Sequence, residues 1–422
     1  MNQADSERFS AFLVALGGKP DSEENSKIII FVSCGVRQTA EQKIVSSIKK
    51  SRNGRPGSIL ILTGCLAHRP DVQKSLREIV DIFIPAGQLS DFVNEIKNLT
   101  GLEKDFKVDD FYTLKPLREE TFRVFIPIMT GCNNFCSYCV VPYARGREVS
   151  RSPEEILEEV KLAIKNDAKE IFLLGQNVNS YKGEDGKGTS WDFPDLLKKV
   201  NSLRGDFWIK FLSSHPKDTD AKLLKTMSDC KKVSPNLHLP IQSGSNKILK
   251  LMNRKYTAEK YLNLLKKAKE IYPEIVISSD IIVGFPGESE KDFEKSIAVV
   301  KKARFEMLYS LKYSKRPQTA ASKMKETVDS LEKKRRQQEL DRTWKAISVK
   351  NNQKFIGKQI KFIINSTKET ASGLLTLGKS FEEKTVCVTQ KKSDNIKVRG
   401  DWAWAQIESV SPLGLKGKIV KK

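Results

Sequence analysis

Residues 129–151 read MTGCNNFCSYCVVPYARGREVSR, and the cysteines inside them decide the reading of the whole chain. Cys132, Cys136 and Cys139 form a CxxxCxxC triplet directly after an apolar run (123–129) that reads as a strand. Three thiolates on one tight loop can hold three irons of a [4Fe–4S] cube. The fourth iron then stays open to a small ligand, which separates a catalytic cluster from an electron-transfer cluster with four cysteines. Asn133 and Asn134 are residues that tolerate the turn conformations such a loop requires. The competing reading is a structural zinc site. Zinc takes four protein ligands, and no fourth Cys or His lies nearby, so the open cluster is favoured. Cys230 and Cys387 stand alone in the sequence and read as small buried residues.

Outward from the loop, strands are expected at 170–174, 208–211, 236–239, 275–283 and 306–311, with helices between them such as 153–165 and 257–271. With 123–129 this makes six βα units, which predicts a partial (β/α)6 barrel with its chemistry at the C-terminal strand ends. Upstream, helices at 6–16, 39–50, 70–79 and 89–99 alternate with strands at 27–32, 58–62 and 80–84. That alternation predicts a Rossmann-like parallel sheet. Its first two strands run into Cys34 and Cys65, at the edge where open α/β sheets bind ligands. The acidic, proline-containing stretch 103–120 reads as a linker. Residues 325–350 read as a highly charged helix, a solvated connector. From Lys354 the texture changes to short β segments (QIKFIIN, GLLTLG, KTVCVTQ, DWAWAQIE), which suit a small antiparallel barrel. The fold class is therefore α/β with a small all-β unit, in domains spanning 1–102, 121–350 and 351–415.

The 422 residues are 30% charged and 39% hydrophobic, too apolar for a disordered chain. The net charge of +22 is unevenly spread: residues 1–120 are neutral, 121–300 carry +5 and 301–422 carry +17. A localised positive field points to a polyanion-binding module. In that third a basic helix at 333–342 (KKRRQQELDR) accompanies Phe355, Phe362, Trp402 and Trp404. Cations interleaved with aromatics suit single-stranded RNA loops, with binding that weakens steeply in salt. Trp402 and Trp404 alternate and so share one strand face; for the aromatics, barrel core is favoured over base stacking. No apolar run approaches the roughly 18–20 residues of a membrane span, and the opening MNQADSER is no signal peptide. A cytoplasmic protein is expected, in which clustered cysteines mean metal or redox chemistry.

The triplet with its tyrosine, CxxxCxYC, resembles the radical S-adenosylmethionine superfamily. The text around it, with GQNVNSY (175–181), LSSHPKD (212–218), LHLPIQSGS (237–245), MNRKYT (252–257), DIIVGFPGE (280–288) and YSKRPQTAA (313–321), resembles the methylthiotransferases of that superfamily. The likeness runs over nearly the whole chain and loosens after Lys354, where the barrel resembles a TRAM domain. It implies that Cys132, Cys136 and Cys139 hold a cluster binding S-adenosylmethionine, with Tyr138 near its adenine. Gln176, Asn177, Ser214, Gln242, Ser243, Asp280 and Val283, at strand ends facing the barrel mouth, become candidates for holding that cofactor or the target base. Gly284, Pro286 and Gly287 read as loop geometry. The implied reaction is methylthiolation at carbon 2 of N(6)-isopentenyl-adenosine at tRNA position 37. It consumes two S-adenosylmethionine molecules, one as methyl donor and one as radical source. The GQNVNSY string and VVPY (140–143) favour this substrate over threonylcarbamoyl-adenosine or a ribosomal-protein aspartate. Implied partners are a tRNA anticodon stem-loop and a flavodoxin- or ferredoxin-type electron donor, with a monomeric enzyme and no membrane. A reading from another class, a non-catalytic zinc-stabilised RNA-binding protein, explains the charge and the triplet but not the motifs at every strand end.

The family carries a second [4Fe–4S] cluster on three N-terminal cysteines. Cys34 in SCGVRQTAEQK and Cys65 in TGCLAHR match its second and third ligands. The first belongs to a Gly-Cys-Gln-Met-Asn string ending an opening strand, and Met1-Asn2-Gln3-Ala4-Asp5 resembles the text just after it. Met1 is therefore expected to be an internal methionine, with that strand and ligand upstream; the alternative is a truncated chain with a crippled second cluster and a bare sheet edge. His68, three residues past Cys65, reads as a loop residue rather than a stand-in ligand.

Overall fold

The computed structural model of the chain describes residues 1–35, 38–85, 114–371, 373–390 and 397–420, together with 92, 94–96 and 98. Most of the expected helix at 89–99 and of the linker at 103–120 lies outside these residues.

The first unit runs α1 (Asn2–Ala15), β1 (Ile28–Ser33), α2 (Gln38–Gly54), β2 (Ile59–Gly64), α3 (Pro70–Leu76) and β3 (Ile82–Pro85). Its strands are parallel in the order β1-β2-β3. On β2, Ile61 packs with Phe9 and Phe12 of α1, whereas Leu60 and Leu62 pack with Val72 and Leu76 of α3. Both faces are covered, which is why the strand reads as a continuous apolar run. Helix α1 begins earlier than the sequence periodicity suggests, because its first turns dock by charge. Arg8 is fully buried and bidentate to Glu159 at 3.0 and 2.9 Å, and Arg145 reaches Asp5 at 2.7 Å.

The second unit contains all six expected strands. In order it runs β4 (Arg123–Pro127), α4 (Val141–Arg145), α5 (Pro153–Lys165), β5 (Glu170–Leu174), α6 (Phe193–Ser202), β6 (Trp208–Phe211) and α7 (Ala221–Asp229). It continues with β7 (Asn236–His238), α8 (Asn246–Leu251), α9 (Ala258–Ile271), β8 (Val276–Val283), α10 (Glu290–Ala303) and β9 (Met307–Lys312). The strands form two parallel sheets, β4-β5-β6 and β7-β8-β9, joined by the bridge Ile209↔Val233. Among the described residues nothing pairs β4 with β9, so the barrel is open along that side. Ser152, Asp192, Asp220, Thr257 and Ser289 each accept a backbone N–H in the first turn of the helix that follows. These caps fix where the helices start.

Two expectations about the C-terminal third are corrected. Helix α11 (Ser330–Asn352) is no solvated connector: Lys333, Arg336, Leu340, Trp344, Ser348 and Asn352 make a buried stripe at helical spacing. Apolar residues are scarce in that stripe because cations supply part of it. Lys333 pairs with Glu326 at 2.5 Å and Arg336 with Glu288 at 2.8 Å, so much of the basic helix is neutralised within the protein. The third unit is a closed barrel of β10 (Gln359–Thr370), β11 (Gly373–Ser380), β12 (Thr385–Gln390), β13 (Trp402–Ser411) and β14 (Gly414–Val420). Phe355 and Phe362 are core, as expected, but Trp402 and Trp404 are not. The inward face of β13 is Ala403, Ala405 and Ile407, since a five-stranded barrel has room inside for small side chains there. Trp402 instead meets Trp208 of the second unit at 4.5 Å. Cys230 is buried in the large core as expected, whereas Cys387 lies on the outer, half-buried face of β12.

Candidate functional site

Beyond β4, residues Met129 and Thr130 pair antiparallel with Ser150 and Val149, pinching off the loop that carries the triplet. Gly131 makes the pinch possible: it sits at φ 76°, and a Cβ there would lie 1.9 Å from the Arg147 carbonyl oxygen. The tight turn itself falls on Phe135 (φ 43°), not on Asn133 or Asn134. The loop is then laced to distant chain. Ser137 N–H and Oγ donate to the Met252 and Leu251 carbonyls at 3.1 and 2.8 Å, and Asn253 Nδ2 donates to the Phe135 carbonyl at 2.9 Å.

The three thiols are free and half-buried. Burial pushes the Cys139 thiol up to about 12, with Cys136 beside it adding to the rise. Burial and Cys136 also raise Cys132, against the hydrogen bond that Asn134 Nδ2 donates to Cys132 Sγ at 3.6 Å. Thiols whose ionisation is opposed by burial and a neighbouring thiol, as at Cys132 and Cys139, are donors that become thiolate on meeting cations. Among the described residues no three His, Cys, Asp or Glu side chains converge on a single-ion position. A cube gives each thiolate its own iron, so its ligands need no common point. The triplet fits a cluster on these grounds.

Sequence reasoning singled out neither Arg254 nor His215, although both sit in quoted strings. Buried Arg254 donates from Nη1 to Cys136 Sγ at 3.4 Å, from Nη2 to the Pro240 carbonyl at 2.8 Å and from Nε to Tyr256 Oη at 2.8 Å. A guanidinium in that position balances charge on the triplet. His215 is held neutral: burial first, then Arg254 and Lys217, lower it to about 2. Its Nδ1 accepts the Lys217 backbone N–H at 3.1 Å.

Around this loop lie the sequence-predicted side chains. Tyr138 packs edge-on to Phe285 at 6.4 Å, with Ile282 and Met252. Gln176 Oε1, Asn177 Oδ1, Ser214 Oγ and Gln242 Oε1 are all buried without a hydrogen-bond partner, at the C-terminal ends of β5, β6 and β7. Each such atom costs roughly 1–3 kcal/mol unless a ligand satisfies it. Gln242 is held there at φ 74°, its N–H donating to the Asp280 carbonyl at 2.9 Å. Two candidates are spent elsewhere. Ser243 Oγ accepts the Ser245 N–H at 3.2 Å within its own turn, and the Val283 side chain lies in the core beneath the helices. Beside the loop, Asn133, Asn134, Glu148, Asn177, Lys217 and Asp218 border a polar cleft of about 460 Å³.

Cys34 and Cys65 follow the last register pair of β1 and β2, Ser33↔Gly64. A Cβ on Gly35 would lie 3.0 Å from Cys65 Cβ and 3.6 Å from Val140 Cγ2, so this edge of the sheet abuts the residue after Cys139. Two thiols do not make a cubane cage, and the sequence holds no other cysteine before Cys132. His68 does not stand in, since its nitrogens lie 3.1 Å from the Cys65 carbonyl oxygen and 3.1 Å from Gln318 Oε1.

A model of the Radical SAM superfamily matches residues 126–300, and one of the uncharacterized protein family UPF0004 matches residues 1–84. The tRNA-2-methylthio-N(6)-dimethylallyladenosine synthase of Acetivibrio thermocellus is 38% identical over 100% of this chain and 89% of its own length. That of Caldicellulosiruptor saccharolyticus is 40% identical over 86% of this chain and 80% of its own. Among solved structures, the radical S-adenosylmethionine methyltransferase TsrM from Kitasatospora setae, with cobalamin and a [4Fe-4S] cluster bound, aligns with TM-score 0.53 at 12% identity. The alignment covers 75% of this chain and 69% of that one, a likeness of fold alone.

Proposed function

This chain belongs to the radical S-adenosylmethionine methylthiotransferases, in the family of the tRNA-2-methylthio-N(6)-dimethylallyladenosine synthases, and from that premise we propose how its residues divide the work. It is a tRNA-modifying transferase that converts N(6)-isopentenyl-adenosine, at position 37, to the 2-methylthio derivative. Cys132, Cys136 and Cys139 hold the [4Fe–4S] cluster, and Arg254 balances their charge. When bound and reduced, such a cluster supplies the electron that cleaves the sulfonium of S-adenosylmethionine. Tyr138 packs beside that cofactor, and Gln176, Asn177, Ser214 and Gln242 satisfy its polar groups or those of the base. Asp280 faces the same lumen. Cys34 and Cys65 would be two of the ligands of the family's second cluster.

The single observation that carries this reading is the meeting of the triplet with four unpartnered buried polar atoms at one end of the barrel. The domains at 1–102, 121–350 and 351–415 would serve sulfur supply, radical chemistry and RNA grip. The RNA is the anticodon stem-loop, the electron donor a flavodoxin or ferredoxin, the enzyme a monomer and its compartment the cytoplasm. Among the described residues no helix is long and apolar enough to cross a membrane. The test is anaerobic reconstitution with iron and sulfide, then dithionite and S-adenosylmethionine. The expected result is a brown protein that forms 5′-deoxyadenosine and, with prenylated stem-loop, the 2-methylthio nucleoside. A colourless zinc protein that forms no 5′-deoxyadenosine overturns it.

A further inference from the structure

The lumen of the open barrel carries side chains that neither the triplet nor its polar neighbours use. Val124 and Ile126 of β4 lie in the core against the helices, so Phe125 between them faces the lumen, where its ring meets Phe172 of β5 at 5.1 Å. By the same alternation Leu212, one residue past β6, faces inward and is 40% exposed. Across from them Tyr309 of β9 is 43% exposed and pairs in register with Asp280. Large apolar side chains this open inside a packed barrel border usable space. The Tyr309 ring stands edge-on to His238 at 5.9 Å. His238 is itself fixed, with Nδ1 3.0 Å from Ser278 Oγ and Nε2 3.5 Å from Asp280 Oδ1. Strands β4 and β9 are the two margins of the open side, so Phe125 and Tyr309 flank the way in.

We propose that Tyr309, Leu212 and Phe125 set the choice of nucleoside in this lumen, Tyr309 by stacking the purine and Leu212 and Phe125 by walling the N(6)-dimethylallyl arm. The inference rests on the function proposed above and deepens it. Bases of a single-stranded RNA loop are free to splay out and stack on aromatic rings. A branched hydrocarbon arm gains by leaving water against Leu212 and Phe125. A threonylcarbamoyl arm on the same nitrogen would bring a carboxylate against that wall and lose its hydration. The nearby cations are already committed, Lys210 to Glu170 and Glu383 and Arg123 to Glu170 and Asn365.

The test is binding of the full chain to anticodon stem-loops that carry dimethylallyl-adenosine, adenosine or threonylcarbamoyl-adenosine, read by fluorescence anisotropy beside turnover. The parent protein should prefer the prenylated loop by about tenfold or more, the scale on which apolar pockets discriminate. Leu212→Asn should bring that preference close to unity, Leu212→Met should restore it, and Tyr309→Leu should weaken all three loops alike. Equal binding of the three loops by the parent, or an unchanged preference in Leu212→Asn, overturns the pocket. A preference that Leu212→Asn removes, in a parent that makes no methylthio product, upholds the pocket and overturns the proposed activity instead.

Discussion

The two barrels of this chain put their interiors to opposite uses. Strands β10–β14 close on themselves and fill the inside with Phe362, Ile364, Val386, Val388, Ala403, Ala405 and Leu415, all buried. Strands β4–β9 stay open, and their mouth keeps four buried polar atoms unpaired beside three thiols. A packed interior stabilises the fold, whereas unpaired polar atoms cost about 1–3 kcal/mol each until a ligand arrives. The large barrel tolerates that cost because its stability comes from the outside, where the six strands bury their other face under capped helices.

The sharpest way to break the comparison is at the triplet. Cys136→Ala removes a proposed cluster ligand from the barrel mouth without touching the helix-side core. It is expected to abolish 5′-deoxyadenosine formation and the cluster's visible absorbance while leaving far-ultraviolet dichroism unchanged. A variant that keeps the visible band would show that the cluster sits elsewhere. Next in size is the closed barrel. Phe362→Ala deletes a fully buried ring and should cost about 3–5 kcal/mol, read as an earlier urea midpoint of the third unit together with loss of RNA affinity. If that variant unfolds no earlier, the closed interior is not where the small barrel's stability lies.

The parts of this design that could be read from sequence are those built from neighbours in the chain. The CxxxCxxC spacing, the six βα units and the strand-end polar residues are local patterns, and the structure puts them together as one mouth. Arg254 escaped because its contact with Cys136 spans 118 residues and nothing in MNRKYT marks which side chain turns inward. Helix α11 was misread because its buried stripe begins with Lys333 and Arg336, whose partners Glu326 and Glu288 lie outside the helix. The face of β13 was misread because size, not hydrophobicity, chooses what enters a narrow barrel. Two tryptophans are more apolar than two alanines, yet Ala403 and Ala405 are the ones that fit.

Where the two barrels meet, charge does what apolar packing does inside each. Glu383, in the turn between β11 and β12, reaches into the base of the open barrel and pairs with Lys210, which also holds Glu170. Burial opposes the charge on Glu383, but Lys210 outweighs it and holds the carboxyl below its ordinary range, with Lys379 and Arg123 assisting. A carboxylate depressed by folding contributes stability that is complete above its unfolded value of about 4.3 and lost as pH falls through the lower folded value. Docking of the barrels should therefore weaken in acid. Glu383→Gln should lower stability at neutral pH by about 2 kcal/mol, less than the roughly 3–5 for a lone buried pair because Lys210 keeps Glu170. Urea midpoints at neutral pH and near pH 3 should show the difference between variant and parent shrinking in acid; a constant difference would mean that shape, not charge, seats the loop.

The smallest expected effect separates docking from RNA recognition on the outer face of the small barrel. Lys361 Nζ lies 4.1 Å from the centroid of the Trp402 ring, and the same indole meets Trp208 edge-on, ring centroids 4.5 Å apart. If Trp402 is a docking residue, Lys361→Ala removes a cation–π contact and the exposed ion pair with Asp206 at 3.0 Å, together worth about 0.5–1 kcal/mol of barrel–barrel stability. The same substitution also removes one positive charge, so RNA affinity should fall by no more than the screened contribution of a single phosphate contact. A base-stacking Trp402 makes the opposite prediction. Releasing its ring from Lys361 would leave stability unchanged and alter affinity for unpaired loops far more than for duplex RNA. Measuring both quantities on one variant decides which barrel the tryptophan serves. On its outer surface the small barrel thus meets its larger neighbour through Trp402 and through cations, Lys361 on Asp206 and Lys384 on Glu306.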